Sequence, residues 1–236
     1  MRSSCDAAPV EDRRPDDDKR TYARWPLVGC LVGGAVAAVW CIGIRVLPPG
    51  IVAGLALAAG LLLTGARHEE GFAKLCDGFG AGGTRERMRE IMRDSRIGAF
   101  GAVGLVLLLG LKWQAMIALP PFRLPGALIC AHVLSRCTAG IVASVLPHAD
   151  ISQPQDVPGP ATSGVRSALA AAACGLASLA LLPAVAWLPG LILATCCGVA
   201  GAIWLRRRLG GWSEESLGAI QQLAELAVLL AAFAGR

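Results

Sequence analysis

Apolar runs long enough to cross a lipid bilayer recur along this chain, and they restrict its fold more than any other feature. Hydrocarbon offers no water to backbone N–H and C=O groups, so a run of about 20 apolar residues must satisfy them internally as an α-helix. Seven such segments are read: 26–46, 51–66, one from Ile97 to before Pro120, 125–145, 167–187, 189–205 and 217–234. Composition agrees. Of the 236 residues 55% are hydrophobic and 17% charged, against about 25% charged in soluble domains. The expected fold is all-α, a polytopic membrane bundle of about seven transmembrane helices with a cytoplasmic amphipathic helix. Residues 1–25 mix charges with prolines and read as a flexible tail, leaving 26–236 as one membrane domain with a cytoplasmic loop at 67–97.

Pro48-Pro49-Gly50, Pro120-Pro121 and Leu209-Gly210-Gly211 mark turns between segments, and the Pro-, Ser- and Asp-rich 147–164 reads as a loop. Most of the nine cysteines fall inside apolar runs, where the residue behaves as a small hydrophobe rather than as half of a disulfide. Lysines and arginines are sided: all but five of the 22 lie in the tail, in 67–96, at Arg166 or at Arg206–Arg208. That side is expected in the cytoplasm. Because these cations adjoin apolar segments, the net charge of +5 reflects topology, and no nucleic-acid partner is expected.

Lys112, His132, Arg136, Gln221, Gln222 and Glu225 interrupt otherwise apolar segments. Intramembrane charge is costly unless paired or wetted. His132 and Arg136 share a helix face, and Glu225 is expected to satisfy Arg136 or Lys112.

Most of the remaining charge sits in 67–101, between two apolar segments. Projected at about 100° per residue, residues 84–96 separate into three faces. Arg85, Arg89, Arg93 and Arg96 form a basic stripe, Glu86, Glu90 and Asp94 an acidic one, and Met88, Ile91 and Met92 with Ser95 a mostly apolar one. An interfacial amphipathic helix would look like this, and so would an anion site. Upstream, His68, Glu69, Glu70 and Asp77 form an acidic turn that leads into glycine-rich GFGAGG. Carboxylates suit Mg²⁺, which commonly bridges them to phosphates, and arginines neutralise diphosphate charge. The combination points to phosphoryl-type transfer at a membrane surface.

HEEGFAKLCDG at 68–78 and RERMREIMRDSRIGAFG at 85–101 resemble the cobalamin synthase family, whose pattern is about H-x-D-G-x-A-D-x-x-D-G, a glycine-containing spacer and I-M-K/R-D-S-R-x-G. RWPLVG at 24–29 and LGGWSEESLGAIQQLAE at 209–225 are similar to that family's first-helix entry and last cytoplasmic loop. The likeness covers about residues 24–236. It implies a Mg²⁺-dependent, multi-pass enzyme of the bacterial inner membrane that acts late in cobalamin assembly. Its substrates would be adenosylcobinamide-GDP and α-ribazole or α-ribazole 5'-phosphate, with GMP released. Partners would be the lipid bilayer and other late cobalamin-assembly enzymes.

Carried over by position, the resemblance implies catalytic roles for His68, Asp94, Ser95 and Arg96, substrate binding by Arg85, Arg89, Arg93 and Lys74, and metal binding by Glu70, Asp77 and Glu215. Three positions depart from the pattern. Glu70 and Lys74 stand where it has aspartates, and Glu215 stands for the Asp of G-x-T-G-D. A cation at 74 leaves open an inactive or altered paralogue. A transporter or scaffold is the alternative outside enzymes, and it would carry its functional charge near the bilayer midplane.

Overall fold

The computed structural model describes residues 15–94, 96–149 and 162–234. Among these the elements in order are α1 (Pro15–Gly43), α2 (Pro49–Thr64), α3 (Arg67–Ala81), α4 (Arg85–Arg93), α5 (Ala99–Ala118), α6 (Leu124–Val145), α7 (Thr162–Ser178), a 3₁₀ turn at Leu179–Leu181, α8 (Ala184–Arg208) and α9 (Glu214–Ala231). The fold is an all-α membrane bundle. The described residues contain no strand, only an isolated backbone pairing of His148 with Trp212.

Among the described residues, four helical stretches are long and apolar enough to cross a membrane: Trp25–Gly43 within α1, then α5, α6 and α8. The pair α2 and α3 adds a fifth only if taken as one span bent by 91°. By length and composition the expected seven therefore becomes four or five. At 16 and 17 residues α2 and α7 are short, and α9 carries Glu214, Glu215 and Glu225. The segment expected at 167–187 breaks instead at Leu182 and Pro183, whose extended backbone starts α8. Helical backbone also begins at Pro15, inside the stretch assigned to the tail.

The bundle is built round α6. Along its most apolar stretch 72% of α6 is buried, against 17% of α8, so α6 is the axis and α8 faces outward. Trp40 and Val36 of α1, Val52 and Ala56 of α2, Met116 of α5, Leu128 of α6 and Leu229 of α9 form the main apolar core.

The largest correction concerns 67–81. What reads as an acidic turn is helix α3, and it includes Gly78, Phe79, Gly80 and Ala81. Gly65 and Ala66 both take left-handed backbone, φ 64° and 54°, and this turns the chain sharply out of α2. Two glycines then let α3 cross α9. A side chain at Gly71 would run into the Glu215 backbone, its Cβ 2.9 Å from that Cα, and one at Gly218 would lie 3.0 Å from His68 Cα. These glycines mark close approach, not turns.

Helix α4 starts at Thr84, whose hydroxyl accepts from Arg87 N at 3.3 Å. Its apolar side docks as the periodicity predicts: Met88 and Met92 are buried against Leu205, Leu209, Leu217 and Ile220. Nearby, Ala149 N donates to Trp212 O at 2.8 Å and Trp212 N to Pro147 O at 2.9 Å. That strap fixes the 147–149 segment beside the start of α9.

Candidate functional site

The residues singled out in the sequence separate into two places, one at the α4 end of the bundle and one inside it. At the α4 end a cleft of about 220 Å³ lies between α4 and the start of α9, lined by Arg89, Met92, Arg93, Ala149, Leu209, Ser213 and Glu215. Three of the expected binding or metal residues, Arg89, Arg93 and Glu215, thus come together. Arg85 and Arg89 are anchored to the end of α8. Arg85 donates to Arg207 O at 3.0 Å, and Arg89 Nη2 donates to Leu209 O. Cations at a helix C-terminus meet its unpaired carbonyls and its negative dipole end, so α8 holds the stripe in register. Ser213 caps α9: its hydroxyl accepts from Ser216 N at 3.4 Å, and Ser216 Oγ accepts from Ser213 N at 2.8 Å.

Next in the chain, Arg96 and Asp94 pair through several bonds, including Nη2 to Oδ2 at 2.8 Å. Hydrogen bonds from the Arg96 side chain and backbone hold the Asp94 carboxyl down at about 2. Ser95 lies outside the described residues. On α3, Lys74 is buried and its ammonium lies 2.8 Å from Glu70 Oε1. The same charge acts on Asp94, so the lysine faces this end of the molecule.

Asp77 has another task. Its Oδ2 accepts from Gly98 N at 2.7 Å and its Oδ1 from Gly101 N at 2.8 Å, so the carboxylate caps the N-terminus of α5 with both oxygens. A Cβ at Gly98 would lie 2.6 Å from Asp77 Oδ1, and one at Gly101 would lie 2.8 Å from Ala73 O. The paired glycines therefore admit the cap. With Asp77 committed and Glu70 on Lys74, the expected trio Glu70, Asp77 and Glu215 makes no metal cage. No group of three His, Cys, Asp or Glu among the described residues is placed to hold a metal.

His68 points elsewhere. With Glu69 it lines an inner chamber shared with Thr64, Lys112, Met116, His132, Arg136, Gln221, Gln222 and Glu225. Lys112 Nζ lies 2.6 Å from Glu225 Oε1 and also donates to Gln222 Oε1. Gln222 Nε2 donates to Glu69 Oε1 at 2.8 Å, and His132 Nδ1 is 3.2 Å from Glu225 Oε2. Arg136 Nη1 donates to His132 O at 3.0 Å. Glu225 therefore pairs with Lys112, as one of the two expected partners, and adds His132. The sequence reading missed that His68 and Glu69 join this network, and helical phase was the available signal. At about 100° per residue, residue 68 lies roughly opposite 70, 74 and 77.

An all-α membrane bundle with an arginine-lined cleft at one end and a polar chamber inside it defines the class: a membrane-embedded helical protein. Residues 7–233 match the family model described as cobalamin-5-phosphate synthase. The chain is 42% identical to the adenosylcobinamide-GDP ribazoletransferase of Leptothrix cholodnii over 89% of its own length and 83% of the relative's. It is 41% identical to that of Bradyrhizobium diazoefficiens over 96% and 88%, and 38% identical to that of Ralstonia nicotianae over 91% and 84%. This chain belongs to the cobalamin-5-phosphate synthase family. No solved structure matches it.

Proposed function

We propose that this protein is an adenosylcobinamide-GDP ribazoletransferase, joining adenosylcobinamide-GDP to α-ribazole or α-ribazole 5'-phosphate with release of GMP. It does so at the cytoplasmic face of a bacterial inner membrane. Membership of the family carries the reading, and the cleft that gathers Arg89, Arg93, Ser213 and Glu215 supports it. Displacement at a diphosphate depends on positioning and on cations set where charge develops. In this reading Arg89 and Arg93 face the phosphates, Arg85 and Arg89 hold the stripe to the end of α8, and Arg96 adds positive charge beside Asp94. Lys74 serves as an internal cation that fixes Glu70.

A protein-built metal cage does not fit these residues, but a magnesium ion carried by the diphosphate needs only one or two carboxylates. Glu215, in the cleft, is the carboxylate that would hold it. Such an ion would neutralise phosphate charge.

The test is turnover by the full chain in lipid nanodiscs with both substrates and Mg²⁺, followed as GMP formed together with adenosylcobalamin from α-ribazole, or with adenosylcobalamin 5'-phosphate from α-ribazole 5'-phosphate. Formation of both in equal amounts supports the reading. Absence of turnover that returns with Lys74→Asp would make the native chain an inactive paralogue. No binding of adenosylcobinamide-GDP by either form would sink the enzymatic reading.

A further inference from the structure

We propose that the inner chamber binds one water molecule as a fixed part of the protein, bridging α3 to α9 through Glu69, Gln221 and Glu225. The chamber's atoms are almost fully paired, which makes the exceptions informative. Glu69 Oε2 and Gln221 Nε2 are buried without a hydrogen-bond partner, although Gln221 is only 2% exposed. Glu225 Oε2 accepts no hydrogen bond either, although His132 Nδ1 approaches it to 3.2 Å as an ion-pair contact. That ring nitrogen is equally 3.2 Å from Arg136 Nη1, so it cannot donate to the carboxylate while accepting from the guanidinium.

All three side chains line the same cavity, which measures about 20 Å³. A water molecule needs roughly 10–15 Å³ by this measure and two to four polar partners. Donors and acceptors also balance. The Gln221 amide N–H donates to the water oxygen, and the water's two O–H groups donate to Glu69 Oε2 and Glu225 Oε2. A metal cation is a poorer occupant, because the Gln221 amide presents hydrogen and Lys112 with Arg136 already supplies positive charge. A larger organic ligand exceeds the space. The bridge completes the chain Lys112–Glu225–water–Glu69–Gln222 and ties the motif helix to the bundle inside the membrane.

X-ray radiolysis of the wild-type chain in nanodiscs made with H₂¹⁸O, read by mass spectrometry, tests the site. Hydroxyl radicals formed from a bound water label side chains that bulk solvent cannot reach. Met116 is 0% exposed and lines the chamber, whereas Met88 is 2% exposed and sits in an apolar cluster. The expected result is ¹⁸O-labelled sulfoxide at Met116 forming at least about fivefold faster than at Met88. Gln221→Met, which removes the donor at similar volume, should bring the two rates together. Equal rates in the wild type would overturn the proposal, and that result does not depend on whether the variant folds. A fast Met116 that Gln221→Met leaves unchanged would also overturn the assignment of this water to Gln221.

Discussion

The cleft at the α4 end and the inner chamber are both built from charged side chains, yet they use charge in opposite ways. In the chamber, Lys112 and Glu225 are 2% and 5% exposed and face each other, so charge is consumed internally. At the cleft, Arg85 and Arg89 donate to carbonyls at the end of α8, and Arg89 and Arg93 line the opening. Burial against a carboxylate partner, not residue type, therefore separates the charges that hold this bundle together from those that meet the diphosphate in the proposed function. Helix α3 serves both, with His68 and Glu69 inward and Glu70 and Lys74 toward the α4 end.

Substitutions that exchange the two behaviours test this contrast, beginning with the largest effect. Lys112→Ala strands the Glu225 carboxylate, and losing one partner of a buried pair costs about 3–5 kcal/mol. Thermal unfolding in detergent should show it, while the double variant Lys112→Met with Glu225→Leu should recover most of the loss. If single and double variants unfold alike, the chamber is not held by this pair.

Arg93→Ala should behave in the reverse manner. Turnover falls about 10²–10³-fold, the scale expected for losing one stabilising contact to developing charge, and the melting temperature falls less than in Lys112→Ala. Gly71→Ala comes third. Its methyl meets the Glu215 backbone, so overpacking costs about 1–3 kcal/mol and moves α3 relative to both regions. Stability and turnover should fall together. Asp77→Ala removes the cap on α5 and costs about 1 kcal/mol, with Asp77→Asn intermediate in the same melting experiment.

The smallest effect is a flat one. Arg96 holds the Asp94 carboxyl at about 2, below its ordinary value, so whatever that pair contributes is present above about pH 4. It fades only as pH falls toward 2. Between pH 5 and pH 8, taken as roughly the working range, Asp94→Asn should leave the pH profile of turnover unchanged in shape.

The four long apolar helices were readable because length and hydropathy fix them, whereas the break at Leu182 and Pro183 and the short α2 were not. The segment expected at 125–145 is α6 at Leu124–Val145, and the faces expected over 84–96 hold in α4 only to Arg93, because Asp94 turns to extended backbone and leaves Arg96 outside the helix, with Ser95 outside the described residues. Helix α3 was not readable in the same way. Three glycines and five charged residues in 67–81 argue locally for a turn, and the helix exists because α9 and α5 receive Gly71 and Asp77 at close range. Tertiary packing overrode local propensity. The same cause hid the role of Asp77, since a carboxylate that caps a helix distant in sequence looks like a metal ligand until both ends are in place. The pairing of Lys112 with Glu225 was foreseeable because an intramembrane charge needs a partner, but the link to Glu69 required the 91° bend.

That bend carries a cost that falls on one residue. Gly65 takes its left-handed backbone freely, but Ala66 holds φ 54° with a β-carbon attached, an arrangement that costs about 1 kcal/mol or more relative to glycine. The joint is therefore a site of latent thermostability: Ala66→Gly relieves stored strain, while a β-branched residue there would open the angle on which both the chamber and the cleft depend.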